Sequence, residues 1–225
     1  MVSRSAVPPG GRKLTVNVKT AKKRSPASAE WLRRQLNDPY VVAAKQQGWR
    51  SRAAFKLLEL DDRFHIIQRD ARVLDLGAAP GGWTQVAIGR GASLVVGIDL
   101  LPMDPIPGSK LIVGDFNDAD MPGCLAAEMG GKVDLVLSDM APNTTGHAGT
   151  DHLRIMALAE LAAAFAREVL APDGAFVAKV FQGGSERAML EGLKRDFASV
   201  RHAKPPASRK ESSELYVVAM GFRGA

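Results

Sequence analysis

Short apolar runs alternate with amphipathic stretches along most of the chain. Runs rich in valine, leucine and isoleucine predict strands, and most of the stretches between them carry apolar residues at helical spacing. The predicted strands lie near 72–76, 93–98, 110–113, 133–137, 174–181, 198–203 and 214–221, and the predicted helices near 53–64, 83–89, 120–129, 152–170 and 185–196. Several strands are almost continuously apolar, as expected when helices cover both faces of a sheet. The alternation predicts an α/β fold with a doubly wound, mostly parallel sheet of seven strands.

Local signals at the ends of elements add detail to this pattern. Helical periodicity begins at Ala29, and Ser51 and Asp151 are the predicted N-caps of the first strongly apolar helix and of the longest helix. The last two strands are joined by 204–213 without a helix, so we expect them to pair antiparallel at the end of the sheet. Residues 143–151, rich in glycine and threonine, predict a flexible loop.

Residues 1–29 differ in composition from the rest, with seven basic residues and no acidic one. Such a segment buries too little apolar surface to offset the entropy of ordering, so we expect a basic flexible arm ahead of one domain over 30–225. The net charge of the whole chain is +6, which favours a polyanionic partner, either nucleic acid or an anionic membrane surface. RNA contact is the favoured role of the arm, and a solvated tail or an organellar transit peptide is the alternative.

Cysteine content and hydropathy indicate the cellular compartment in which the protein works. The one cysteine, Cys124, cannot build a disulfide framework, which is typical of a reducing compartment. No apolar run approaches the roughly 20 residues that span a bilayer, and no secretory signal is apparent. The histidines show no metal-ligand spacing. These observations predict a cytoplasmic protein without a metal or a membrane partner.

A glycine-rich loop follows the first predicted strand. It runs from Asp75 to Trp83 and contains Gly77, Pro80 and Gly81. Glycines between a strand and a helix allow the backbone to approach a ligand closely. Alanine stands where a dinucleotide fingerprint has its second glycine, so the loop suits a nucleoside ligand that lacks phosphates. Trp83 is either a core residue or a wall of the ligand pocket.

Aspartates end four of the predicted strands: Asp75, Asp99, Asp115 and Asp139. Asp99 lies 22 positions after Gly77, a separation that places a carboxylate against ribose hydroxyl groups. Asp115 ends the third strand, where its carboxylate is expected to lie beside the base of the nucleoside and to accept from the exocyclic amine of an adenine. Carboxylates gathered at one edge of the sheet attract a ligand that carries a sulfonium and an ammonium group, and they repel phosphates. The pattern therefore predicts S-adenosyl-L-methionine rather than NAD or ATP.

A lysine lies inside one of the apolar strands. Lys179 has Ala178 and Val180 as neighbours, and an ammonium group in such a place is costly unless it is paired or reaches the end of the strand. Glu214 begins the last strand, and Glu211 is a competing acidic residue nearby. The sequence thus predicts a functional lysine at the centre of the sheet.

These residues resemble the FtsJ-type ribose 2′-O-methyltransferases, a family that acts on RNA. Lys56, Asp139, Lys179 and Glu214 fall at the positions of the family's Lys-Asp-Lys-Glu tetrad. The resemblance covers about 31–223 and rests on five motifs in the same order, at 51–57, 75–83, 99–105, 138–143 and 179–183. It implies a Rossmann-like S-adenosyl-L-methionine-dependent methyltransferase fold whose last strand is antiparallel. The residues expected to bind the cofactor are Asp75, Gly77, Pro80, Gly81, Trp83, Asp99, Asp115 and Asp139.

The resemblance also gives the tetrad its expected roles. The acceptor 2′-hydroxyl must be oriented and must lose a proton, so Lys179 is expected to act as a base or as a steering group, and the sequence leaves both roles open. Asp139 and Glu214 are expected to hold Lys179. Lys56 is expected to bind the acceptor ribose or its phosphate.

The resemblance implies a monomeric enzyme that methylates a uridine ribose in 23S-type large-subunit ribosomal RNA, late in ribosome assembly. RNA-binding helices over 30–65 and the loop before the last strand are expected to surround the acceptor site with positive charge. The candidate cations are Arg33, Arg34, Lys45, Arg50, Arg52, Arg209 and Lys210. The alternatives are an enzyme with the same tetrad that acts on tRNA or on mRNA caps, and a non-catalytic RNA-binding assembly factor.

Overall fold

Strands and helices alternate in the computed structural model, which describes residues 16–18, 20, 25–142, 145–182 and 187–224. The strands are β1 Arg72–Leu76, β2 Leu94–Asp99, β3 Ser109–Val113, β4 Val133–Ser138, β5 Leu170–Phe181, β6 Phe197–Ala203 and β7 Glu214–Phe222. The helices are α1 Pro26–Asn37, α2 Pro39–Gln47, α3 Ala53–Phe64, α4 Gly82–Gly89, α5 Met121–Met129, α6 Ala148–Val169 and α7 Arg187–Asp196.

The strands form one sheet in the order β3-β2-β1-β4-β5-β7-β6. The pairs among β1 to β5 are parallel, and β7 runs antiparallel to both β5 and β6. The α/β fold with a mostly parallel seven-stranded sheet is confirmed. The last two strands do pair antiparallel, but β7 lies inside the sheet and β6 forms its edge. Strand order reverses between β1 and β4, where a crevice forms outside the carboxyl ends of the strands.

Helices cover both faces of the sheet and bury two apolar clusters. One cluster joins α5, α6 and α7 to the sheet and includes Leu76 and Phe176. The other joins α2, α3 and α4 to the opposite face and includes Val73, Phe55 and Tyr216. Because side chains alternate between the faces of a strand, each central strand contributes to both clusters. The strand ends are thereby fixed from both sides.

The predicted helix caps were wrong at two places. Arg52, not Ser51, is the N-cap residue of α3. A Cβ on Gly82 would lie 2.5 Å from the Ser51 hydroxyl, so that hydroxyl packs against α4 instead of capping α3. Asp151 lies in the first turn of α6, which begins earlier than predicted, and its carboxylate accepts hydrogen bonds from the N–H and hydroxyl of Thr145, both at 2.7 Å. Residues 148–151 of the predicted loop over 143–151 are therefore helical, and 143–144 lie outside the described residues.

The predicted basic arm of 1–29 lies largely outside the described residues. Helix α1 begins at Pro26, and the Ser25 hydroxyl accepts from its first turn, so the predicted boundary falls within this helix. Val16 exchanges two hydrogen bonds with the side chain of Asn37, at 2.7 and 3.0 Å. Residue 16 is thus in contact with the end of α1.

Two negative findings apply only to the residues that the structure describes. None of the helices there is both long enough and apolar enough to cross a membrane. No group of three or more His, Cys, Asp or Glu side chains in those ranges is arranged to hold a metal ion.

Candidate active site

The glycine-rich loop between β1 and α4 packs against the ends of β2 and β4. The N–H groups of Gly77 and Ala78 both donate to the Ile98 carbonyl, at 2.9 and 3.0 Å. Gly77 has a φ of +79°, and a Cβ there would lie 2.8 Å from the main-chain nitrogen of Met140. A side chain at this position would displace the segment that follows β4. The loop therefore lies where strand order reverses, which is where ligands bind in such sheets.

A cavity of about 460 Å³ opens at this edge of the sheet. Its lining is largely apolar, with carboxylates from Asp99 and Asp115 and a guanidinium group from Arg154. Hydroxyl and amine groups can donate to these carboxylates while a flat ring packs on the apolar walls. The lining residues are Gly77, Ile98, Asp99, Leu100, Gly114, Asp115, Phe116, Asn117, Met140, Ala141, Pro142, Arg154, Ala157 and Leu158.

Nearby N–H groups hold the two carboxylates of the cavity. Asp99 accepts from the main-chain N–H groups of Ala79 and Leu101, both at 2.9 Å, and so joins the glycine-rich loop to the β2–β3 loop. Asp115 accepts from the main-chain and side-chain N–H groups of Asn117, at 2.9 and 2.7 Å. These hydrogen bonds lower the pKa of Asp115 below its usual value. Asp115 is therefore a fixed negative charge beside the cavity.

Several residues predicted to bind a cofactor do not line this cavity: Asp75, Pro80, Gly81, Trp83 and Asp139. Asp75 is fully buried, and its Oδ2 accepts from the Thr84 hydroxyl at 2.7 Å. Trp83 is also buried, and its indole N–H donates to the Ala53 carbonyl at 2.8 Å. Of its two predicted environments, the structure places Trp83 in the core, beneath the loop. Asp139 directly precedes three residues that do line the cavity.

Lys179 and Asp139 form an ion pair beside the cavity. The Lys179 Nζ lies 2.9 Å from Asp139 Oδ1 and 2.6 Å from the Asp139 carbonyl oxygen. Burial alone would raise the pKa of Asp139, but the charges of Lys179 and Lys56 lower it below its usual value. The buried lysine in an apolar strand therefore has a charged partner, as its surroundings require.

A second ion pair joins α3 to β7. The Lys56 Nζ lies 2.8 Å from both carboxylate oxygens of Glu214, which also accepts from the Ser208 hydroxyl at 2.7 Å. The expectation that Glu214 would hold Lys179 was wrong. In the register of β5 and β7, Lys179 lies opposite Tyr216, and Glu214 lies two positions along the strand.

The hydroxyl of Tyr216 connects the two ion pairs. It donates to Asp139 Oδ1 at 2.8 Å and accepts from Lys56 Nζ at 3.2 Å. Burial and the charges of Asp139 and Glu214 raise the pKa of Tyr216 well above its usual value, so it is a neutral donor. Sequence reasoning missed this residue, although Tyr216 lies two positions after Glu214 and so shares its face of the strand. We call the connected set the buried polar network: Lys56, Asp139, Lys179, Glu214 and Tyr216.

The cations predicted to bind RNA differ in their surroundings. Arg52 and Arg209 approach the carboxylate of Asp38, at 3.1 and 3.6 Å. Arg50 donates to three main-chain carbonyl groups. These three side chains are engaged within the chain. The other candidates are exposed, although two of them also form ion pairs with Glu30 at the surface: Arg33 and Arg34, which form these pairs, and Lys45 and Lys210.

Comparison with known proteins identifies the family of this chain. The sequence profile of the FtsJ-like methyltransferases matches residues 49–222. A protein named ribosomal RNA large subunit methyltransferase E from Granulibacter bethesdensis is 72% identical over 216 residues, which cover 96% of this chain and 94% of that protein. A protein of the same name from Acidiphilium cryptum is 66% identical over 94% of both chains.

Solved structures agree with the fold. The crystal structure of a Plasmodium falciparum protein described as a ribosomal RNA methyltransferase superposes with a TM-score of 0.70 and 31% identity, covering 79% of this chain and 100% of that one. A Streptococcus thermophilus protein described as a hemolysin shares the fold at a TM-score of 0.58 and 16% identity, covering 78% of this chain and 67% of its own. With its profile match across most of the chain and its close relatives, this protein belongs to the FtsJ-like methyltransferase family.

Proposed function

We propose that this methyltransferase uses S-adenosyl-L-methionine to methylate a ribose 2′-hydroxyl, of a uridine, in large-subunit ribosomal RNA late in ribosome assembly. The observation that carries the proposal is the position of the buried polar network. Asp139 belongs to this network and directly precedes Met140, Ala141 and Pro142, which line the carboxylate-bearing cavity. The names of the close relatives support the choice of RNA.

The donor set of the cavity fits the cofactor. Asp99 would accept from the ribose hydroxyls, Asp115 from the adenine amine, and the apolar side chains would pack on the ring. Gly77 would allow close approach of the ligand because it lacks a side chain. Asp75, Pro80, Gly81 and Trp83 would act by shaping the loop. When bound, S-adenosyl-L-methionine supplies a methyl group that its sulfonium already activates.

Lys179 would act on the acceptor hydroxyl. Its ammonium group has three donor protons, and the carboxylate and carbonyl of Asp139 accept two of them, which leaves one for the acceptor oxygen. As the oxygen–methyl bond forms and the carbon–sulfur bond breaks, the hydroxyl proton leaves. An uncharged Lys179 would take this proton, whereas a charged Lys179 would only orient the oxygen and the proton would pass to water. The dependence of kcat on pH separates the two cases.

Lys56 would contact the acceptor ribose or its adjoining phosphate. The carboxylate of Glu214 and the hydroxyl of Tyr216 fix its Nζ near the Lys179–Asp139 pair. A cation held in this way can bind a phosphate without the entropic cost of ordering a mobile side chain.

The surface that presents RNA to this site would be formed by the helices of 30–65 and by the loop over 204–213. The two segments are joined, because the Ala207 N–H donates to Glu59 on α3 at 2.7 Å. The exposed cations Arg33, Arg34, Lys45 and Lys210 would contact phosphates and fix the position of the RNA without reading its sequence.

The test supplies radiolabelled S-adenosyl-L-methionine with purified large subunits, small subunits, 23S ribosomal RNA and tRNA in separate reactions. We expect label in large subunits, and mapping of the modified nucleotide should place it on a ribose 2′-oxygen. Label on tRNA alone, or on a base, would contradict the proposed substrate. Absence of transfer to any of them would favour a non-catalytic RNA-binding protein.

A further inference from the structure

The junction between α2 and α3 lies directly on the loops that form the cavity. The side chain of Gln85 on α4 accepts from the Arg50 main-chain N–H at 2.8 Å and donates to the Gly48 carbonyl at 3.1 Å. Residues 48–50 are thereby fixed to the helix that follows the glycine-rich loop. The side chain of Arg50 then extends over the loop itself.

The guanidinium group of Arg50 connects the glycine-rich loop to the β2–β3 loop. It donates to the Pro80 carbonyl in the glycine-rich loop at 3.2 Å, and to the carbonyls of Asp104 and Pro105 in the β2–β3 loop at 2.7 and 2.9 Å. A Cβ on Gly81 would lie 3.0 Å from Arg50 Nη1 and 2.7 Å from Ile106 Cδ1, so both side chains pack on the glycine-rich loop. Arg50 thus closes the space between the loops from the outside.

The same two loops are joined on the cavity side by Asp99. Its two carboxylate oxygens accept from Ala79 in the glycine-rich loop and from Leu101 in the β2–β3 loop. Arg50 offers donors to main-chain carbonyls, and Asp99 offers acceptors to main-chain N–H groups. The two residues therefore hold one pair of loops with complementary chemistry.

We propose that Arg50 is a positioning residue for the cofactor and not an RNA phosphate contact. It holds the glycine-rich loop and the β2–β3 loop at the separation that the cavity requires. The inference rests on the proposed function, because it takes the cavity to be the cofactor site. It also links α3, which carries Lys56 of the buried polar network, to the loops that receive the methyl donor.

The test compares the full chain with Arg50→Gln and Arg50→Lys, using S-adenosylhomocysteine as the probe in titration calorimetry. Because the loss of one hydrogen bond from a charged group typically costs about 10-fold to 100-fold in an equilibrium constant, we expect the Kd of Arg50→Gln to rise by about 10-fold to 100-fold. The Arg50→Lys chain should bind better than Arg50→Gln, since an ammonium can still donate to one or two of the carbonyls. The Kd for RNA and its dependence on salt should not change.

Arg90→Gln provides a matched control. Arg90 caps the other end of α4 and pairs with Asp61 on α3 at 3.2 Å, so its loss removes a structural arginine from the same helix. This variant should have a lower Tm and an unchanged Kd for the probe. Equal weakening of probe binding in Arg90→Gln and Arg50→Gln, measured well below both Tm values, would overturn the proposal.

Two further results would also overturn it. One is an unchanged Kd for the probe in Arg50→Gln; the other is weaker RNA binding with a salt slope reduced by about one, the signature of a lost phosphate contact. If Arg50→Gln does not fold, the Kd of Arg50→Lys decides. Methyl transfer by the wild-type chain is measured in parallel. Probe binding without transfer to ribosomal RNA would contradict the proposed substrate but leave the comparison at Arg50 valid. Absence of probe binding to the wild-type chain would overturn both proposals.

Discussion

Charge is held in two different ways on the two sides of the strand-end crevice. In the buried polar network, charged side chains hold one another: Lys179 pairs with Asp139, Lys56 pairs with Glu214, and Tyr216 joins the pairs. At the cavity, the carboxylate of Asp99 is held by main-chain N–H groups of two loops. A network of paired side chains can orient a reacting group, whereas a carboxylate held by loops shapes the space that receives a ligand. Chemistry and cofactor binding should therefore be separable by mutation.

Lys179→Ala should have the largest effect of all the variants. It should slow methyl transfer, which depends on the buried polar network, and leave cofactor binding unchanged. Removing a group that orients the acceptor or takes its proton typically costs about 10²–10⁴-fold, so kcat should fall by about 1000-fold. The Kd for S-adenosylhomocysteine should stay close to that of the wild type, because Lys179 does not line the cavity. Single-turnover methyl transfer and calorimetry measure the two quantities.

Lys132→Ala is the control for Lys179→Ala. Lys132 is an exposed lysine whose Nζ donates to the Glu168 carbonyl, and it precedes β4 at the opposite end of the strand from Asp139. Its loss should leave both quantities unchanged. Near-normal turnover of Lys179→Ala, with RNA and cofactor saturating, would contradict the assignment of Lys179 to the acceptor.

Asp75 belongs neither to the buried polar network nor to the cavity lining. Its burial should lower the stability of the folded chain in a way that depends on pH. Burial, opposed by hydrogen bonds from Thr84 and reinforced by the charges of Asp139 and Asp99, raises the pKa of Asp75 to about 7 in the folded chain. The folded chain then keeps a proton that the unfolded chain loses near pH 4, so stability falls as pH rises from about 4 to about 7. Relative to Asp75→Asn, the wild type should lose roughly 3–4 kcal/mol of unfolding free energy over that range.

Urea unfolding of the cofactor-free chains at about pH 4 and about pH 7 measures this difference. The asparagine keeps an acceptor for the Thr84 hydroxyl but has no charge to bury. Parallel changes of stability with pH in the wild type and in Asp75→Asn would show that Asp75 is already ionised in the folded chain.

Sequence patterns predicted the fold well because the central strands are buried on both faces. The predicted strand near 72–76 coincides with β1, and the predicted strand near 133–137 ends one residue before β4 does. Helix N-caps were predicted less well, because they depend on which neighbour a polar side chain meets. Ser51 faces Gly82 across a close contact between α3 and α4, and no local pattern encodes that contact.

The candidate site was predicted in its members more than in its pairings. The structure brings the four tetrad residues together, but Glu214 pairs with Lys56 because of the antiparallel register of β5 and β7. Tyr216 was missed for the same reason, since its place between the ion pairs depends on two strands and a helix meeting at one point. The sequence predicts Arg50 as an RNA contact from its charge alone, since a sequence does not give the carbonyl groups that a side chain reaches.

Asp99→Asn should affect the cavity side and spare the network. The two oxygens of Asp99 each accept from one N–H group, and asparagine replaces one of these oxygens with a donor amide, so either Ala79 in the glycine-rich loop or Leu101, two positions along the chain, loses its acceptor. Each charge-assisted hydrogen bond contributes about 1.5–3 kcal/mol, so the Kd for S-adenosylhomocysteine should rise by about 10-fold to 100-fold. The kcat at saturating cofactor should fall much less. A fall in kcat with no change in Kd would contradict the separation of the two regions.

Asp115→Asn should have the smallest effect, because solvent reaches the carboxylate of Asp115 at the mouth of the cavity. Both of its hydrogen bonds come from Asn117, two positions along the chain, so its loss detaches no second loop. An asparagine oxygen can still accept from an adenine amine, and exposed charges are screened by water and salt. We expect only a several-fold rise in the Kd for S-adenosylhomocysteine, larger at low salt, and no change for the neighbouring exposed Asp118→Asn. If Asp115→Asn weakened binding as much as Asp99→Asn, contact with the ligand would matter more at this cavity than the joining of its loops.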